Sequence, residues 1–188
     1  MHINELDQYR LSDAIRFHDR LNPALWDEHE QLRPEVRDKL LAIARDFQES
    51  LGVPDLDLED ITISGSNAAY SYTKHSDIDL HVLVDYNKFK NDDVYRELFD
   101  AKKVIYNDEH DIIINGYEVE LYVQDSNEPV ISLGEYSILR NSWIKLPKKS
   151  RAHFDQMATK LKFNKLRDLA QVALKHNNVE KISGVIEK

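Results

Sequence analysis

The apolar positions of the chain change period as they are followed from one end to the other. From Pro34 to Gly52 they recur at three- and four-residue steps, so Val36, Leu40, Ile43, Ala44, Phe47 and Leu51 share one face of a helix. Pro34 suits the first helical position, and Gly52 followed by Pro54 suits the stop. At Ile61 the period falls to two. Ile61–Ser64 reads as a strand ending in Gly65-Ser66, and Ile78–Val84 reads as a second strand. On the second strand Ile78, Leu80, Val82 and Val84 take one side, while Asp77, Asp79, His81 and Leu83 take the other. The segment NDDVYRELFDAKKVIYN, residues 91–107, returns to a helix, with Asn91 as its cap, acids in the first turn and lysines later. Asn115-Gly116 then separates two β-rich runs, which is a hairpin signal. The second arm alternates Tyr117, Val119, Leu121 and Val123 with Glu118, Glu120 and Tyr122.

The flanks are less regular. LSDAIRFHDRL, residues 11–21, reads as a short amphipathic helical segment broken by Asn22-Pro23. EPVISLGEYSILRNSWIKLP, residues 128–147, reads as irregular, with aromatic anchors at Tyr136 and Trp143. From Ser150 onward the pattern is one long basic helix or two shorter ones. Helices, then strands with one inserted helix, then helices again predict an α+β fold, a small mixed β-sheet flanked by N-terminal and C-terminal helices. The expected division is a helical segment over residues 1–54 packed on the core, a core over 55–147 and a basic helical segment over 148–188.

Composition changes this picture in a few places. The 188 residues are 41% hydrophobic and 31% charged, ordinary for a globular chain able to bury a core. The absence of cysteine excludes disulfides and thiolate metal sites. No apolar run reaches the length of a bilayer span and no signal-peptide order opens the chain, so a soluble, cytoplasmic protein without a membrane partner is expected. The net charge of −9 hides an asymmetry: residues 1–138 hold 13 basic against 30 acidic residues, and residues 139–188 hold 12 against 4. An acidic region concentrates divalent cations and a basic tail meets phosphates; mutual attraction of the two regions explains the asymmetry equally well.

Chemistry gathers on the second strand. Asp77 and Asp79 are two residues apart, so both point to one face and repel each other. A bare Asp-x-Asp is more often a solvated strand edge than a metal site. Here a third carboxylate, Glu120, lies on a strand whose other side is apolar, with Glu118 on the same face as the alternative third acid. Placed side by side, three carboxylates suit hard divalent cations and can hold two of them about 3.5–4 Å apart. Gly65-Ser66 directly after a strand allows close backbone approach and suits a phosphate. His75 and His81 flank the acids, but Mg²⁺ favours oxygen, so substrate contact or packing is their expected role. Lys74, Lys145, Lys148 and Lys149 are candidate phosphate contacts, and Lys160, Lys162, Lys165 and Arg167 candidate cleft or RNA contacts; for all of them a solvated surface is the plainer expectation. Tyr136 and Trp143 suit either stacking on a base or core packing.

Gly65-Ser66, the twelve-residue step to Asp77, the SDIDL run and the later VEL strand together resemble the signature of the polymerase-β-like nucleotidyltransferase superfamily. The resemblance covers roughly residues 61–123. It implies the nucleotidyltransferase fold, two Mg²⁺ ions (Mn²⁺ being the alternative), and transfer of a nucleoside monophosphate from an NTP to a hydroxyl of an RNA end, a nucleotide or a protein. By position it makes Asp77 and Asp79 ligands of both metals and Glu120 the acid that completes the catalytic one. It makes Gly65 and Ser66 the residues that hold the triphosphate, and Lys74 and Ser76 beside them are the further nucleotide-binding candidates. The segment LNPALWDEHEQLRPEVRDKLLAIARDF is loosely similar to leaders ahead of such domains in phage-encoded proteins, which would put the protein in a host cytoplasm. The small antitoxin-like members carry Arg-Gly after Gly-Ser, whereas this chain has Asn67-Ala68-Ala69-Tyr70. The rival expectation is a descendant of the fold without turnover, binding nucleic acid or a protein.

Overall fold

A computed structural model describes residues 17–149, with the single positions Asn164 and Val172 beyond them. The chain divides into two compact units, Arg16–Ser150 and a second of Met1–Ile15 with Arg151–Lys188, and everything below belongs to the first. The helices expected from Ser150 onward, with Lys160, Lys162, Lys165 and Arg167, lie outside the described residues. Most of the amphipathic segment 11–21 does too; its described remainder, residues 17–21, is not helical. The His18 N–H is donated instead to the Tyr70 carbonyl at 2.7 Å.

Helix α1 spans Pro34–Ser50 and buries Val36, Leu40, Ala44 and Phe47, the expected face, before Gly52 turns the chain at φ 72°. Strand β1 is Asp60–Ser64 and β2 is Ile78–Val84. Helix α2 runs from Asp92 to Glu109. Asn91 precedes it without the expected side-chain cap, and Asp92 and Asp93 in the first turn place negative charge at the positive end of the helix dipole. A two-residue strand β3, Ile113–Ile114, and the longer β4, Tyr117–Asp125, form the hairpin. Asn115 and Gly116 between them both have positive φ, 51° and 89°, the twist a two-residue hairpin requires.

The segment read as irregular in fact carries two more strands, β5 Glu135–Ser137 and β6 Ser142–Lys145. Strands of three and four residues are too short to print a period. Burial holds them: Tyr136 is fully buried, edge-on to Trp26 and Trp143 with ring centroids 5.0 Å from each. Trp26 and Trp143 stack at 4.7 Å. Tyr136 is therefore a core aromatic, and Trp143 is half-buried against it.

The six strands form one mixed sheet in the order β3-β4-β2-β1-β5-β6. Every pairing is antiparallel except β2 with β4. A parallel pair needs a crossover, and α2 supplies it. Asn107 of α2 seals the outer edge of β4, donating to the Leu121 carbonyl at 3.0 Å and accepting the Leu121 N–H at 3.1 Å. Helix α1 packs on β2, whose Ile78, Leu80, Val82 and Val84 are fully buried together with Leu121 and Ile63 of the neighbouring strands. At roughly 25 cal/mol per Å² of apolar surface removed from water, this shared face carries much of the unit's stability. It also leaves the opposite side of the same strands free for polar groups. Among the described residues no helix is long and apolar enough to cross a membrane.

Candidate metal and phosphate site

The parallel pairing sets β2 and β4 in a register where Asp79 lies opposite Glu120. On its other side Asp79 lies opposite Ser64, the last residue of β1. One row therefore crosses three strands as Glu120, Asp79, Ser64. The next row crosses them as Tyr122, His81, Thr62. Asp77 stands just before β2 and is exposed, and Glu118 is exposed on β4. The register thus sets Glu120 beside Asp79, with Glu118 two residues nearer the start of β4.

Gly65 closes the row. It sits at φ 73° and ψ −160°, a backbone conformation open to glycine and rare for other residues. A Cβ built on it would overlap the Asp79 carboxylate, so the missing side chain is what lets backbone and carboxylate meet. The chain then makes one turn of 3₁₀-helix, Ser66–Ala68. The Ser66 hydroxyl donates to the Ser76 Oγ at 2.7 Å, and the Ser76 Oγ also accepts the Thr73 N–H at 2.9 Å. Both serines are thereby tied to the loop that leads into Asp77. Lys74 is exposed in that loop, as is His75. Lys145 donates to the Val130 carbonyl and Lys149 approaches Asp19 at 3.3 Å, so neither is brought to the carboxylates.

The electrostatics mark the same place. Burial, then the charges of Glu120 and Asp77, pushes the Asp79 carboxyl up to about 6. Burial and Glu120 also raise Asp77. Glu118 is raised by burial and then by Asp77, Asp111 and Glu120. The Tyr122 hydroxyl is held far above its ordinary value, by burial first and then by Glu120. Some acids elsewhere have cationic partners: Asp125 and Glu128 pair with Arg96, and Asp57 and Glu59 with Lys88. Among the described residues no Lys or Arg forms an ion pair with Asp77, Asp79, Glu118 or Glu120. This is a concentration of negative charge that the described protein leaves unneutralised. Among the described residues, however, no group of three or more His, Asp or Glu side chains closes around a common centre.

His81 belongs to the second row and does different work. Its Nε2 lies 3.0 Å from the Ser64 Oγ, its ring stacks on Tyr122 at 5.0 Å, and burial drives it down to about 4. The neutral ring packs the floor of the acidic row. Two surface hollows, of about 650 and 390 Å³, lie near the end of α1 and include none of these residues.

Two contributors had no sequence signal. Asn67 is fully buried. It donates to the Asp77 carbonyl at 2.9 Å, accepts from Asn22 at 2.8 Å, and takes the Trp26 indole N–H on its own carbonyl at 2.7 Å. It therefore ties the turn after β1 to the start of β2 and to the segment before α1. Ser132, from the loop between β4 and β5, accepts the Gly65 N–H at 3.0 Å. Only long-range pairing reveals either one. No protein family, curated protein or solved structure matches the chain.

Proposed function

We propose that the protein is a divalent-metal-dependent nucleotidyltransferase that moves a nucleoside monophosphate from an NTP to a hydroxyl acceptor and releases pyrophosphate. The observation that carries this reading is the surroundings of one residue: Asp79 lies between Glu120 and Ser64, with Gly65 against its carboxylate. The donor set fits hard cations, because every candidate ligand is a carboxylate oxygen and no described Lys or Arg already neutralises them. Asp77 and Asp79 would hold two Mg²⁺ ions, or Mn²⁺ in their place, with Glu120 completing the site. When bound, the ions would supply charge neutralisation for the triphosphate and for the attacking and leaving oxygens of an in-line displacement.

The chain's own groups then have separate tasks. Gly65 and Ser66 place the triphosphate against Asp79, and Ser76 fixes the Ser66 hydroxyl. Lys74 adds a cation to the phosphates from the exposed loop. Glu120 takes the proton of the acceptor hydroxyl as its oxygen bonds to the α-phosphorus. The bond from that phosphorus to the β-phosphate oxygen breaks, and pyrophosphate leaves with the electron pair. Most of the rate enhancement comes from positioning and electrostatics, as in phosphoryl transfer generally.

The test is twofold. Mn²⁺ titration followed by electron paramagnetic resonance, with a non-hydrolysable NTP present, is expected to show bound metal in the wild type and none in Asp77→Ala/Asp79→Ala. Incubation of each α-³²P-NTP with total cellular RNA and protein is expected to label an acceptor with the wild type only. Absence of metal from a folded wild-type protein saturated with nucleotide sinks the enzyme reading in favour of a binding module.

A further inference from the structure

The loop between β4 and β5 grips the Gly65–Ala68 turn at both ends. At one end the Ser132 Oγ accepts the Gly65 N–H at 3.0 Å and donates its own proton to the Gly134 carbonyl at 2.8 Å. At the other end Gly134 is pressed against the turn so tightly that a Cβ on it would overlap the Ala68 carbonyl oxygen. Pro147 crowds the same side of Gly134, since that Cβ would also fall 3.2 Å from the Pro147 Cα. The same loop is tied down again where the Lys148 N–H is donated to the Leu133 carbonyl at 3.2 Å. Gly65 in turn meets the Asp79 carboxylate with no side chain between them. A short chain of contacts thus runs from Ser132 through the Gly65 peptide to Asp79.

A buried-side N–H with no strand partner is costly to leave unmade, and a serine hydroxyl is the smallest side chain able both to accept it and to pass a proton onward. A loop that merely connected two strands would not need this bridge, because β5 is already held by pairing with β1 and β6. We propose that Ser132 is a positioning residue of the candidate site: it sets the separation between the Gly65-Ser66 turn and the Asp79 carboxylate, and thereby where a triphosphate sits relative to the metal ligands. The proposal rests on the nucleotidyltransferase reading and adds a residue from a loop that the Gly-Ser and Asp-x-Asp motifs do not include. Ser132 touches neither reactant. It acts through Gly65.

Ser132→Ala and Ser132→Thr separate this role from simple packing. Three quantities are measured on the full-length protein: Mn²⁺ affinity without nucleotide, affinity for a Mg²⁺-bound non-hydrolysable NTP by calorimetry, and melting temperature. Ser132→Ala is expected to keep Mn²⁺ affinity within about twofold and to lose about tenfold in nucleotide affinity, the size of one lost hydrogen bond. Ser132→Thr, which keeps the hydroxyl, is expected to restore nucleotide binding to near the wild-type value. Nucleotide affinity unchanged in Ser132→Ala overturns the proposal. So does a loss that Thr fails to restore, or one that follows the melting temperature and Mn²⁺ affinity in proportion. A wild type that binds neither Mn²⁺ nor nucleotide overturns the reading beneath it, a result distinct from any of these.

Discussion

Strand β2 has two faces built under opposite rules. Ile78, Leu80, Val82 and Val84 are all fully buried on one side, where every contact lowers the free energy of folding. Asp79 and His81 on the other side are both driven from their ordinary protonation, one carboxyl up to about 6 and one imidazole down to about 4. Burial is the first cause of both shifts, and in both it works against the charged form. The apolar face stabilises the unit, and the polar face draws on that stability to bury ionisable groups whose charged forms water would hold more favourably. A single strand can do both because its side chains alternate. The comparison teaches where substitutions should hurt folding and where they should hurt only binding.

The sharpest break comes from the apolar face. Leu80→Ala removes a fully buried side chain between β1 and β4, and is expected to cost about 3 kcal/mol through lost transfer energy and a residual cavity. Urea denaturation should show the whole unit falling in one transition at lower midpoint. A loss below about 1 kcal/mol would mean that this face is not the foundation of the polar one. The second break strikes the junction of the two faces. Gly65→Ala must accept positive φ and must also displace the Asp79 carboxylate, so it is expected to cost about 2 kcal/mol in stability. Divalent-metal binding should be lost with it, which titration of the folded variant checks. Retention of metal affinity would show that Asp79 can move away from Gly65 without consequence.

Much of this arrangement is legible before folding, and the reason is periodicity. The runs that specify β2, β4 and α1 are long enough for several repeats, and Asn115-Gly116 names its own turn chemistry. The alternation on β2 and β4 assigned Asp79 and Glu120 to polar faces, and the parallel register then sets them opposite each other. What stayed hidden depends on pairing between distant segments. Strands β5 and β6 are too short to show a period, and Tyr136 only becomes a core residue because Trp26 arrives from more than a hundred residues away to meet it. Asn67 and Ser132 are ordinary polar residues in polar stretches. Their roles come from the carbonyl of Asp77 and the N–H of Gly65, neither of which has a sequence pattern.

The finest distinction between the faces is written in pH. Asp79 has a folded value of about 6 against an ordinary 3.8, so the folded state holds this proton more tightly than the unfolded state. Its unfavourable contribution is absent below about pH 4 and complete above about pH 6, so it erodes stability as pH rises through that window. His81 has a folded value of about 4 against an ordinary 6.5, so the unfolded state protonates first. Its unfavourable contribution is absent above pH 6.5 and grows as pH falls towards 4, so it erodes stability in the opposite direction. The two slopes largely cancel in the wild type. Asp79→Asn removes one of them, and without metal it is expected to stabilise the protein by on the order of 2 kcal/mol at pH 7 and by almost nothing at pH 4. His81→Gln removes the other, and its effect relative to the wild type is expected to become more favourable as pH falls from 7 to 4. Chemical denaturation of both variants at four or five pH values measures the two slopes separately. If Asp79→Asn is destabilising at pH 7 without metal, the carboxylate has a partner in the fold, and the polar face is built for structure like the apolar one.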